Sequence, residues 1–193
     1  NILKENVGCQ DQIFSSFGGF NCIRFKSDFD FSIENLINDQ KKLKTLNDSS
    51  ILVWTEIQRH GNKIEKEKIK RIKNEDNFQN LKKIQEISER GYSEFSKSSW
   101  DLKKIGALMN EYWLQKKKLA NGITNKKIEL ISEIAKKNGA HGMKLLGSGG
   151  GGFNWMQFVT GPDQGDVFKN IQEKTYTNKR ELFGKIFLIK DSI

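Results

Sequence analysis

Three observations predict an α+β fold for this sequence, an antiparallel sheet covered by helices. From Ser50 onward the apolar patterns run strand, three or four helices, strand, strand, helix, strand. That order groups the helices on one face of a mainly antiparallel sheet rather than alternating them with parallel strands. Two short strand-like runs, "MKLLGS" and "FNWMQFV", bracket a glycine-rich connection. The composition, 36% hydrophobic and 30% charged over 193 residues, is that of a globular chain long enough to bury a core.

Taken in order, Val7-Gly8 reads as a turn leading into a short amphipathic stretch, followed by Gly18-Gly19 and "FNCIRF". That run alternates Phe20, Cys22 and Phe25, as a strand does. After the turn-rich "LNDSS", the segment Ser49 to Ile57 reads as a buried strand. His60 to Lys97 reads as helix with a break near Asn74 to Asn77, after which Phe78, Leu81, Ile84, Ile87 and Phe95 keep one face. Asp101 to Leu119 is a further helix, with Leu102, Ile105, Leu108, Met109, Tyr112 and Leu119 as its apolar stripe. Gly122 is expected to end it and Thr124 to cap the next, which runs to about Lys137 with Ile128, Ile131, Ile134 and Ala135 inward. The last strand of the bracketed pair carries Asn154 and Gln157, polar enough to suggest an exposed face. A helix from Asp163 to about Lys174 and a strand in "ELFGKIFLI" complete the pattern.

The bulk properties narrow the function classes. No apolar run approaches the roughly 20 residues of a membrane helix, and the opening "NILKENVG" lacks a signal-peptide core, so a soluble cytoplasmic chain is expected. Two cysteines, Cys9 and Cys22, suit neither a disulfide framework nor a paired metal motif and read as reduced. The net charge of +9 favours anionic partners. Its lysines, however, alternate with acids along helical segments such as "EKEKIKRIKNE", the pattern of a solvated helix face, which argues against nucleic acid.

The chemistry-bearing feature is "KLLGSGGGGF". Gly147, Gly149 and Gly152 formally satisfy G-x-G-x-x-G, yet a dinucleotide fingerprint needs a helix after the loop, and here an alternating aromatic run follows. A Walker loop fails as well, because no Lys-Ser or Lys-Thr closes it. The run is longer than the two residues of a tight hairpin. Consecutive glycine amides can instead form an anion-binding concavity, so Gly147, Ser148, Gly149, Gly150, Gly151 and Gly152 are candidates for a backbone that a ligand approaches. An inert flexible tip is the alternative.

Three motifs in order, "VGCQDQIFSSFGGFNCIRF", "KKKLANGITN" and "KLLGSGGGGF", resemble the GHMP kinases (galacto-, homoserine, mevalonate and phosphomevalonate kinases). Within that family they are most similar to the D-glycero-D-manno-heptose 7-phosphate kinases, over essentially the whole chain. The resemblance implies transfer of the γ-phosphoryl of ATP, with Mg2+, to a hydroxyl of a sugar or sugar phosphate, the anomeric hydroxyl of a heptose 7-phosphate in that branch. It implies that Asp11 is a base or orienter beside the accepting hydroxyl, flanked by Gln10 and Gln12, with Gly8 allowing the turn before it. An N-cap is the alternative role for Asp11. Residues 147 to 152 would pack against the phosphate loop and help close the active site. Arg59 stands where the branch has an Arg in "T-G-x-x-R" and would hold a sugar phosphate, but Glu56 replaces the expected glycine and His60 a small residue. Ser148 replaces a common alanine.

On the same resemblance, residues 1–48 are the end of an N-terminal domain and residues 49–193 the C-terminal domain. The family's ATP-binding loop and acidic Mg2+ ligand would lie upstream of Asp11, so the chain alone is expected to be inactive. A galactose- or fucose-type kinase and a non-catalytic ligand-binding module are the competing readings.

Overall fold

The computed structural model describes residues 9–26, 30–58, 61–73 and 77–157. The expected helix at 163–174 and the closing strand lie outside the described residues, as do Gly8, Arg59 and His60.

The chain forms α1 (Gln10–Phe17), β1 (Asn21–Phe25), β2 (Phe31–Asn35), α2 (Gln40–Asp48), β3 (Ser50–Trp54) and α3 (Gly61–Lys73). It continues through α4 (Phe78–Phe95), α5 (Leu102–Lys117), α6 (Lys126–Lys137), β4 (Gly142–Leu145) and β5 (Phe153–Gln157). The predicted class holds: helices pack on an antiparallel sheet of order β3-β5-β4, and β1 and β2 make a separate antiparallel hairpin. Strand β2 and helix α2 fall in a stretch where sequence alone suggested no element. Helix α2 carries no buried residue, so it lacks the apolar stripe by which a helix is read.

Register sets the two faces of the three-stranded sheet. Ile51 opposes Met156, which opposes Met143, and Val53 opposes Asn154, which opposes Leu145. All six are buried on one face, against Trp113 of α5 and against Ile128, Ile131, Ile134 and Ala135 of α6. The four inward residues expected of α6 are those observed. On α5 the buried positions are Ile105, Gly106, Met109, Trp113 and Lys116, so the stripe is rotated toward Trp113 and away from Tyr112.

Asn154 corrects the expectation of an exposed face: its side chain is fully buried between Val53 and Leu145. Alternation places residue 154 on the same face as Met156, and that face is the core. Capping needs a correction too. Asn125, not Thr124, is the N-cap of α6, accepting from the amides of Lys127 (3.1 Å) and Ile128 (3.1 Å). The Thr124 hydroxyl bonds Glu129 instead (2.6 Å). Helix α5 stops at Lys117, ahead of Gly122, whose φ of 76° serves the connecting loop.

The hairpin rests on α4. Arg24 pairs with Glu89 (2.6 Å), the Tyr92 hydroxyl donates to Glu34 (3.0 Å), and the rings of Phe20 and Phe95 lie 4.8 Å apart. Asn77 is the N-cap of α4, and its buried side-chain amide donates to the carbonyl of Leu119 (2.6 Å). The predicted break between α3 and α4 thus ends at a residue that ties α4 to the end of the α5 segment.

Candidate functional site

Five of the six residues from 147 to 152 are glycine, and the structure shows what two of them are for. A Cβ on Gly149 would lie 2.9 Å from the Cα of Ile123, at a φ of 110° that L side chains rarely adopt. A Cβ on Gly151 would lie 2.4 Å from the carbonyl oxygen of Ile57. Glycine is required there by the approach of backbone to backbone. The loop is therefore not a slack hairpin tip; it is wedged between the 123–125 segment and the 55–57 segment.

Both walls bond it. The Gly150 amide donates to Ile123 (2.7 Å), and the side-chain amide of Asn125 donates back to the Gly150 carbonyl (3.2 Å). On the other side the Thr55 amide donates to the Gly152 carbonyl (2.9 Å) and the Gly152 amide to the Ile57 carbonyl (3.2 Å). Two amides of the expected anion-binding concavity are thus committed inside the protein, which narrows what the loop can offer a phosphate. Asn125 serves two ends at once, its oxygen capping α6 and its nitrogen holding the loop.

Lys116 anchors the start of the loop. Its ammonium is buried and donates to the carbonyls of Leu145 (3.3 Å) and Gly147. It belongs to the run "KKK" that opens the motif "KKKLANGITN". The missed signal is positional: residue 116 follows Ile105, Met109 and Trp113 on one stripe of α5. Nearby, Lys144 lies with its ammonium 4.4 Å from the centre of the Tyr112 ring. Burial pushes the Lys144 ammonium pKa down and the Tyr112 hydroxyl up.

Between β3 and the loop, Glu56 has a φ of 58°, the one non-glycine among the described residues in the left-handed region. Its carboxylate pairs with Lys127 in the first turn of α6 (2.9 Å). The acid stands at the position where the resembled motif has glycine, and the backbone there keeps a glycine-like conformation.

The acidic motif is placed on α1. Asp11 is the second residue of that helix, and Cys9 occupies the N-cap, so the capping alternative for Asp11 does not hold. Gln10 and Gln12, the flanking candidates, are exposed on the same helix. Neither Cys9 nor Cys22 is in a disulfide, and burial raises the pKa of Cys22. Among the described residues no three His, Cys, Asp or Glu side chains cluster as metal ligands, and no helix is long and apolar enough to cross a membrane.

Comparison with known proteins fits this geometry. Residues 98–153, from before α5 through the glycine loop, match the family model described as GHMP kinases C terminal. The chain is 26% identical over 177 residues to D-glycero-alpha-D-manno-heptose 7-phosphate kinase of Campylobacter jejuni, covering 90% of this chain and 51% of that protein. It therefore spans about half the length of that relative. Among solved structures, L. major mevalonate kinase in complex with R-mevalonate superposes with a TM-score of 0.70 at 20% identity, covering 92% of this chain and 50% of that one. A D-glycero-D-manno-heptose 1-phosphate kinase from Bacteriodes thetaiotaomicron gives 0.57 at 20% identity, over 86% and 43% of the two chains. At those identities the structures speak for the fold, which is shared. Residues 98–153, which hold α5, α6, β4 and the glycine loop, are similar to the C-terminal domain of the GHMP kinases.

Proposed function

We propose that this chain is part of an ATP-dependent sugar kinase that transfers the γ-phosphoryl group to a hydroxyl of a small sugar, the anomeric hydroxyl of a heptose 7-phosphate. The observation that carries the reading is the similarity to a heptose 7-phosphate kinase over 177 residues, 90% of this chain. In this reading residues 1–48 close an N-terminal domain and residues 49–193 form the C-terminal one. The separate β1–β2 sheet supports a division near that point.

Asp11 accepts the proton of the sugar hydroxyl as its oxygen forms a bond to phosphorus and the bond to the leaving ADP breaks. Gln10, Gln12 and Gly8 shape the approach to it, and Arg59 holds the substrate phosphate. The loop 147–152 lies against the nucleotide phosphates as a stiff backbone wall, with the Gly150 and Gly152 amides left to structure. ATP supplies the phosphoryl group. In this reading Mg2+ would neutralise charge on the transferring phosphoryl group; among the described residues no three His, Cys, Asp or Glu side chains cluster as ligands for it.

The test is ATP consumption by the complete gene product against a panel of sugars and sugar phosphates that includes heptose 7-phosphate. Turnover with that heptose, reduced by two or more orders of magnitude in Asp11→Asn, is the expected result. A folded product that binds a sugar phosphate yet turns over none would place the chain among non-catalytic binding modules.

A further inference from the structure

We propose that Glu56 and Lys127 form a clasp that sets the position of the glycine loop. Thr55 and Ile57 both bond Gly152, the first through its amide and the second through its carbonyl. Thr55 and Ile57 lie just past the end of β3, and by sharing one partner they leave the residue between them bulged out of line, here at a left-handed angle. Glu56 is that residue. A glycine would take the conformation without strain, whereas an L residue pays for it in stability.

What the chain gains is a side chain at the bulge that reaches across the loop. Glu56 meets the Lys127 ammonium at 2.9 Å, 71 residues further along the chain. Lys127 in turn gives its backbone amide to Asn125, whose side-chain nitrogen holds the Gly150 carbonyl. The contacts close a ring: Gly152 to the 55–57 bulge, Glu56 to Lys127, Lys127 to Asn125, Asn125 to Gly150. The loop is gripped at two points by segments that this ion pair joins. Both side chains are about a quarter exposed, at 26% and 28%, so the link is open to salt and to substitution.

The clasp makes Glu56 and Lys127 positioning residues, not catalytic ones. Their bearing on phosphoryl transfer rests on the kinase reading above, but the clasp is measured without turnover, so either idea can fail alone. The measurement is amide hydrogen exchange of Gly150 and Gly152 in the full 193-residue chain, with the Ile105 amide in the first turn of α5 as internal reference.

Lys127→Met and Glu56→Gln are each expected to speed exchange at both glycines about three- to five-fold against the reference, the range set by a partly exposed ion pair. The double reversal Glu56→Lys with Lys127→Glu should return both to within about two-fold of the parent, which loss of packing alone would not do. In the parent chain, raising NaCl from about 0.1 to 1 M should speed the same two amides, since screening weakens such a pair. Unchanged exchange in the single variants, or a reversal that fails to restore it, overturns the proposal. Should a variant fail to fold, the salt series on the parent decides, and salt-independent exchange at Gly150 and Gly152 rejects the clasp.

Discussion

The side-chain amide of Asn110 spans the outer edge of β4, donating to the carbonyl of His141 (2.8 Å) while its oxygen accepts from the amide of Met143 (3.1 Å). Two residues further along the same edge, the Leu145 carbonyl accepts from Lys116. The groups at 141, 143 and 145 are those pointing away from β5, so helix α5 supplies in side chains what a fourth strand would supply in backbone. An open edge invites pairing with other chains, and this one is closed. Asn110→Ala leaves the Met143 amide and the His141 carbonyl without these partners. We expect a loss of about 1–2 kcal/mol in urea unfolding and a greater tendency to associate, read by light scattering. Unchanged stability would mean that water replaces the amide at no cost.

The glycines separate into those the fold requires and those it merely tolerates. Gly149→Ala and Gly151→Ala each drive a methyl into backbone, of Ile123 and of Ile57 respectively. Each should cost about 3 kcal/mol or more, or displace the loop. Gly91 lies inside α4, and a Cβ there would meet nothing within 4 Å. Gly91→Ala should stabilise the protein by about 0.5–1 kcal/mol through helix propensity. Thermal melts of the three variants test the contrast, and equal effects at Gly91 and Gly151 would contradict it.

Glu94 makes the structure sensitive to acid. Its side chain is 6% exposed; one oxygen accepts from Lys97 and the other from the Asp101 amide (3.0 Å) at the start of α5. The hydrogen bond from Lys97 is the main cause that lowers its pKa, against the opposing effect of burial. A carboxylate lowered in the folded state contributes stability that is full above its unfolded value of 4.5. That stability is lost as pH falls through the lower folded value. Glu94→Gln should therefore cost about 1–2 kcal/mol at pH 7 and show a shallower decline than the parent below about pH 4.5. Parallel pH profiles would assign the acid sensitivity to other carboxylates.

Sequence revealed the elements whose periodicity reports burial. Ile128, Ile131, Ile134 and Ala135 stand at helical spacing and are all buried, so α6 was legible. The glycine loop was legible as a place of close approach, because a run of glycines has few other uses. Its partners were not. Ile123, Asn125 and Ile57 meet the loop through backbone groups and one amide, none of which leaves a periodic trace. Lys116 was hidden for a different reason: a lysine in a lysine run looks solvated until the stripe beneath it is known. The acid at position 56 looked like a departure from the resembled motif, and only the backbone angle shows that the departure is in side chain alone.

Asn154 carries the sharpest remaining conflict between sequence and environment. It is 0% exposed in an apolar layer, opposite Val53 and Leu145, and neither atom of its amide has a hydrogen-bond partner among the described residues. A desolvated amide with no bond opposes folding by more than the packing of its own carbons returns. Leucine has a similar volume and suits the same layer of Ile51, Leu145 and Met156. Asn154→Leu should therefore raise stability by about 1–2 kcal/mol, measured by urea unfolding with an unchanged m-value. A loss of stability instead would show that a buried water bonds the amide, and a structure of the protein at high resolution would locate it beside Val53.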